Sequence, residues 1–420
     1  MKRFLACLLL MALCLTGAGA EEKVSYEYIW DYGVENAVVV KREGRYGLMD
    51  TTGREIFPCV WVGVNLGRDG LLPVAYERGS WGVIDLAGNT VLPFCWDDVR
   101  ILGNGSYAVR EGNLFGLLDA AGQQVIPCNY RSIRWLGEDM YEVSVSGEGR
   151  ALYALYRGGV QLTDFCWSYV SGSFCHDRII VLDLQERTVV LDGRGEVVFT
   201  LECMSECLCT EAELIQAFYS EAQGGDVQFF DLNGDPVGPR WDNAGDFHDG
   251  LARVYRDGKA GFLDKQGELA LPLVYDGAWE FSEGLALVRQ DGERFWIDTQ
   301  GNRGADWDYT AGRGYQRGVS LAVDEAGRNG LIDRTGAEVT PCQWLRICEG
   351  VKDAPFTSGS LAWALSQEGA GLISPEGRIV TGDRLFSWLD DRLVFKGEFA
   401  FVLQKDTGEV TIWNADGQVY

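Results

Sequence analysis

The sequence predicts an all-β chain built from about eleven tandem antiparallel β-meander repeats of ~35 residues, arranged as a propeller-like body or an open superhelical array. Three observations predict it. A block reading aromatic-Gly-x-x-Asp-x-x-Gly recurs along the chain, glycine holds one fixed position in every copy, and turn residues punctuate short apolar runs throughout.

The block is clearest as Tyr46-Gly47-Leu48-Met49-Asp50-Thr51-Thr52-Gly53, Trp81-Gly82-Val83-Ile84-Asp85-Leu86-Ala87-Gly88 and Phe115-Gly116-Leu117-Leu118-Asp119-Ala120-Ala121-Gly122. It returns around Asp264 and Asp333, and more weakly around Asp192, Asp231 and Asp298, while Tyr156, Ser374 and Asn414 take the Asp slot elsewhere. The eleven slots are 33 to 41 residues apart, and glycine lies three residues after each, from Gly53 to Gly417. With 54 glycines in 420 residues, composition cannot produce that regularity. An apolar pair follows, then often Pro and an aromatic, as in Val91-Leu92-Pro93 with Trp96; an acid commonly comes next, as at Asp97, Asp242, Asp276 and Asp308.

One unit reads as a meander. Leu251 to Arg256 alternates apolar and polar, the period of a half-buried strand. Asp257-Gly258 is a hairpin turn signal, and Ala260 to Asp264 is the return strand. In Asp264-Lys265-Gln266-Gly267 the acid accepts backbone N–H bonds and the glycine supplies positive φ. Leu269 to Leu271 is a third strand, and Pro272, which cannot donate to a ladder, marks its edge or end. Gly267→Val should therefore cost at least ~1–2 kcal/mol, and Gly224→Val less, because no repeat fixes Gly224.

The aromatic-Gly pairs, with Asp-x-x-Gly and the Pro-x-x-aromatic tail behind them, resemble the tryptophan–glycine (WG) repeat family of bacterial proteins. The resemblance covers nearly the whole chain after residue 20. It implies an interaction scaffold and brings no catalytic residue with it.

Lys2 and Arg3, the apolar run Phe4 to Leu15 and the small residues ending Ala18-Gly19-Ala20 have the build of a secretory signal peptide over 1–20, cleaved after Ala20. The expected destination is secreted or extracytoplasmic, with no membrane insertion afterwards, since no later run approaches ~18 apolar residues. Beyond residue 20 there are 35 basic and 62 acidic side chains, a net −27, which disfavours nucleic acid and anionic lipid as partners. The 46% hydrophobic content excludes a disordered chain.

Repeats are expected at 21–202 and 227–420, with an irregular seam at 203–226. Within the seam, Thr210-Glu211-Ala212-Glu213 reads as a helix capping box, whereas the repeat register places Leu214 to Tyr219 on a strand; the period on both sides favours the strand. Eleven blades exceed the usual four to eight of one ring, so two rings or an open stack also fit.

No catalytic, cofactor or metal site can be named. His248 occupies a variable turn slot, and His176 neighbours Cys175 on what reads as a strand, where adjacent side chains point apart. Asp231-Leu232-Asn233-Gly234-Asp235 resembles a calcium loop but lacks the distal Glu. Cys59, Cys95, Cys128, Cys166 and Cys342 share one repeat slot and read as reduced, buried core residues. Cys203, Cys207 and Cys209 form a cluster whose state stays open between thiols, a disulfide and metal. Trp61, Trp96, Trp241, Trp307 and Trp344 share another slot and read as a continuous core ladder rather than a sugar-stacking surface. The expected function is a binding scaffold for protein or glycan at the envelope or outside the cell, without catalysis. The other readings are a glycan hydrolase using a carboxylate pair and a structural envelope component.

Overall fold

The computed structural model describes residues 24–147, 149–201, 206–219, 225–312, 314–348, 356, 359–382, 384–387 and 391–420. Among these there is no helix; the strands form eleven antiparallel sheets, each an up-and-down meander in chain order. The sheets are the blades of one propeller, numbered here in sequence: 28–61, 63–96, 98–130, 132–161, 169–201, 206–241, 243–275, 277–306, 311–344, 346–373 and 392–414. Blades 10 and 11 have three strands and the others four. Glu206–Cys209 and Ile215–Phe218, both inside the stretch expected to be irregular, are strands of blade 6. The capping-box residues form the tight turn before the second of them, with Glu213 N–H donating to Thr210 O at 3.3 Å.

The ring is closed. An open array of eleven units has ten junctions, but the buried side chains group into eleven clusters, one at every junction including that between blades 11 and 1. At the closing junction Tyr26, Ile29, Val38, Val40 and Met49 pack on Phe401, Leu403 and Ile412. Tyr26 N–H donates to Gly408 O at 2.6 Å, and Lys396 Nζ lies 2.8 Å from Asp31 Oδ1. Burying apolar faces that an open stack leaves wet at both ends drives this closure.

Both faces of each sheet are covered by neighbouring blades, so the inner strands are buried continuously rather than on alternate residues. In Ala37–Arg42, Ala37 and Val39 face blade 2 while Val38 and Val40 face blade 11. The expected one-sided alternation is corrected accordingly: Leu251, Ala252 and Val254 are all buried. The repeat tryptophans are also redistributed. Trp61, Trp241 and Trp307 are buried in three separate junction clusters, and Trp96 and Trp344 pack half-buried against two others, so the slot supplies one anchor per junction instead of a continuous ladder.

The repeat block has a geometric cause. Trp81 pairs with Trp96, yet Val83 pairs with Leu92, so the fourth strand carries two extra residues opposite Gly82. The same bulge separates Tyr46–Trp61 from Leu48–Phe57 and Ala260–Tyr275 from Phe262–Leu271. Pro58, Pro93 and Pro272 sit inside the excess, where the missing N–H is no loss to the ladder.

The positive φ expected of the repeat glycine holds at each repeat. All eleven repeat glycines have φ between 77° and 93°. Each Asp of Asp-x-x-Gly accepts through one oxygen the N–H groups two and four residues on: Asp85 from Ala87 and Asn89 (2.9 and 2.8 Å), Asp264 from Gln266 and Glu268 (2.9 and 3.0 Å), Asp333 from Thr335 and Ala337 (2.8 and 3.0 Å). Hydrogen bonds from Asn89, Asn302 and Thr335 hold the Asp85, Asp298 and Asp333 carboxyls below the usual carboxylate range. A depressed folded-state pKa adds stability above the unfolded value, near 3.9, and that stability is lost as pH falls through the folded value. Thermal melts are expected to be flat from about pH 7 to 5 and to drop steeply below about pH 4. Asp333→Asn should flatten the drop; an unchanged acid slope in that variant would show that the turn carboxylate does not carry it.

Candidate functional site

In a ring of meanders the turns segregate. One face carries the turns between first and second strands together with the Asp-x-x-Gly turns. The opposite face carries the turns between second and third strands and the connections to the next blade. On this second face the acid after the repeat aromatic is a clip. Asp97 Oδ2 accepts from Gly112 N–H at 2.6 Å, Asp242 Oδ2 from Asp257 N–H at 2.8 Å, and Asp276 Oδ2 from Asp291 N–H at 2.8 Å, each in the following blade.

At blade 9 the pattern breaks. Its second turn is held by Asp324, which accepts from Ala326 and Arg328 N–H at 2.9 and 2.8 Å, and Asp308 instead lines a cleft of about 790 Å³ between blades 8 and 9. The walls are Asp276, Arg289, Glu293, Arg294, Arg303, Asp306, Tyr309 and Glu325, with Trp307 beneath. That volume is in the range of small-ligand sites, but the lining is far more polar than most.

The charged groups are held in place. Arg303 Nη2 bridges Glu293 at 2.9 Å and Asp306 at 2.7 Å, with its guanidinium 4.0 Å over the Phe295 ring. Arg294 Nη1 donates to Tyr309 O and Thr310 O at 3.3 and 3.1 Å, fixing the connection into blade 9. Lys259 Nζ is 2.5 Å from Asp276 Oδ1 and holds that carboxyl below the ordinary value, while Asp306 and Glu293 raise Arg303. Burial raises Tyr309, whose ring meets Trp307 edge-on at 5.2 Å. Every carboxylate with a resolved shift in the described residues moves down. Asp276 is the one of them that lines the cleft.

The residues singled out from sequence fall elsewhere. His248 ends the first strand of blade 7 and is exposed. Asp231 spends its carboxylate on Asn233 and Asp235 N–H at 2.8 and 2.9 Å, a turn role. His176 has φ 49° and lies in a turn, so the strand argument that separated it from Cys175 does not apply. The buried reading of the slot cysteines is corrected: Cys59, Cys128, Cys166 and Cys342 are half-buried, and Cys95 is exposed. Cys59, Cys128 and Cys342 lie in the bulge over Gly47, Gly116 and Gly330, and Cys59 Sγ approaches Val40 O at 3.9 Å. Cys203 lies outside the described residues, as does the side chain of Cys207, while Cys209 Sγ lies 3.6 Å from Cys175 O. The cleft was missed because its residues come from two repeats; the one sequence signal was Asp308 in a slot where its counterparts are clips.

The model of the WG containing repeat matches residues 81–115, 229–259 and 261–293. Three stretches of the chain are thus WG-containing repeats. Those matches fall on blades 2 and 3 and blades 6 to 8. No curated protein matches the chain. Among solved structures it is similar to BamB from Moraxella catarrhalis, at 13% identity over 76% of this chain and 97% of that one, with a TM-score of 0.33. A eukaryotic initiation factor aligns at 11% identity over 76% and 88%, with a TM-score of 0.40. PorZ, a surface component of the type-IX secretion system of Porphyromonas gingivalis, aligns at 12% identity over 94% and 65%, with a TM-score of 0.23. These likenesses carry no argument about a ligand.

Proposed function

We propose that this WG-repeat ring is an exported, non-catalytic binding scaffold that takes a glycan in the cleft between blades 8 and 9. The observation that carries the reading is the set of carboxylates and guanidiniums fixed around one cleft, with Asp308 relieved of the clip role its counterparts perform. Immobilised acceptors and donors beside an aromatic suit sugar hydroxyls, because their orientation is settled before binding.

Calorimetry against a polysaccharide panel tests this. One class of glycan is expected to bind, and Asp308→Asn, which breaks no side-chain hydrogen bond among the described residues, should weaken it at least about tenfold. Released sugar would establish a hydrolase instead, and binding insensitive to Asp308→Asn would move the site elsewhere. Export is tested separately: the intact mass of the exported chain should begin at Glu21, and a lipid-bearing Cys14 would overturn a soluble product. No helix among the described residues is long and apolar enough to cross a membrane.

A further inference from the structure

Blades 5 and 6 bring two thiols together from residues 34 apart in sequence. Cys175 opens the turn between the first two strands of blade 5, where Cys175 and Arg178 exchange backbone hydrogen bonds of 2.9 and 3.0 Å. Cys209 ends the first strand of blade 6. Cys209 Sγ donates to Cys175 O at 3.6 Å, and Cys175 Sγ donates to Thr210 O at 3.9 Å, so each sulfur lies against the backbone of the other blade's turn. Both residues are half-buried, on the ring face that carries the Asp-x-x-Gly turns, opposite the cleft.

The surroundings favour a reactive sulfur on Cys175. His176 turns back through a left-handed conformation, with Nδ1 4.0 Å from Glu213 Oε1 across the junction. The hydrogen bond from Cys209 and the charge of His176 outweigh burial and push the Cys175 thiol down to about 7. Burial pushes the Cys59 thiol up to about 11, and it also raises Cys95, Cys128, Cys166 and Cys342. Cys175 is thus set apart from the repeat-slot cysteines by place and by reactivity.

We propose that Cys175 and Cys209 form a redox-active dithiol that closes to a disulfide between blades 5 and 6 by exchange with a low-molecular-weight disulfide. The Cys175 thiolate attacks one sulfur of R–S–S–R, the S–S bond breaks, and the departing RS⁻ takes up the proton Cys175 lost. The mixed disulfide on Cys175 is then attacked by the Cys209 thiolate. A second RS⁻ leaves and is protonated by the proton from Cys209. The two protein thiols are oxidised, and the external disulfide is reduced to two R–SH, with no further co-reactant. The product is a covalent strap across one junction of the ring, made where the two turns already touch.

Cystamine added to the full chain at neutral pH, followed by maleimide quenching and non-reducing peptide mapping, tests the proposal. A peptide pair linked through Cys175 and Cys209 is expected, with Cys59, Cys95 and Cys128 recovered alkylated. In Cys209→Ser the cysteamine adduct should accumulate on Cys175, and without cystamine iodoacetamide should label Cys175 at least about tenfold faster than Cys59 at pH 7. The mapping uses the native sequence, so it stands even where a variant fails to fold. Linkage of Cys209 to Cys203 or Cys207, or recovery of both Cys175 and Cys209 as alkylated thiols, would overturn the proposal.

Discussion

Gly267→Val is expected to lower the unfolding free energy by about 3 kcal/mol or more, the sum of two independent costs. Gly267 has φ +77°, a conformation that costs an L-residue ~1–2 kcal/mol and a β-branched one at least as much. Space is the second cost. A Cβ there would lie 2.2 Å from Val237 Cγ1, on the fourth strand of blade 6, so the clash falls on the junction between blades 6 and 7. Val237 packs against the cluster holding Trp241, Ala244 and Phe247, and moving it loosens that cluster. Gly258→Ala separates the two terms, because Gly258 has φ +74° but meets nothing within 4 Å. It should lose only about 1 kcal/mol. Gly224, the comparison that sequence alone suggested, lies outside the described residues. Denaturant melts of both variants against wild type read the difference. Equal midpoints for Gly267→Val and Gly258→Ala would remove the junction from the explanation.

The turn glycine was legible because its cause is local: three residues of sequence and one sign of φ. The strands were legible for the same reason, including Ile215–Phe218, where the period prevailed over the capping-box signature of Thr210 to Glu213. Closure was not legible, since it depends on whether blade 1 and blade 11 meet, and no short window of sequence contains both Val40 and Phe401. The same distance hid the cleft, whose walls come from two blades, and the contact of Cys175 with Cys209, which are in different repeats. The role of the acid after the aromatic was half legible. Its recurrence at Asp97, Asp242 and Asp276 marked it, but only the structure shows that it clips the next blade's turn, and so makes Asp308 an exception. The slot cysteines misled because a repeated small residue suggests a core, whereas Cys95 is one of the bulge residues between Leu92 and Trp96 and is exposed.

Gly82→Ala is expected to be as damaging as Gly267→Val, although its backbone is ordinary strand and one methyl group is the smallest possible addition. The cause is the bulge. Between the pairs Trp81–Trp96 and Val83–Leu92 the fourth strand folds its excess residues over Gly82. A Cβ on Gly82 would sit 2.7 Å from Leu92 O and 2.9 Å from the Phe94 ring. The first obstacle is backbone and cannot rotate away. The third and fourth strands must separate, which costs ladder hydrogen bonds and disturbs Val83 and Leu92, both buried against blade 3. About 2–4 kcal/mol is expected, at the upper end of overpacking costs because the contact is with a carbonyl. The corresponding glycines behave alike: Gly47 would meet Phe57 O at 2.6 Å, Gly116 Ile126 O at 2.8 Å, and Gly330 Thr340 O at 2.7 Å. The glycine of the WG pair is thus a consequence of the proline-containing bulge that follows it, and the two signatures are one structural device. Gly277→Ala is the control: it too is a buried strand glycine without positive φ, but its Cβ would meet only Arg289 side-chain atoms at 3.8 Å. That variant should melt within about 0.5 kcal/mol of wild type. If Gly82→Ala melted with it, the tight approach of the fourth strand could not be the reason for glycine in the repeat.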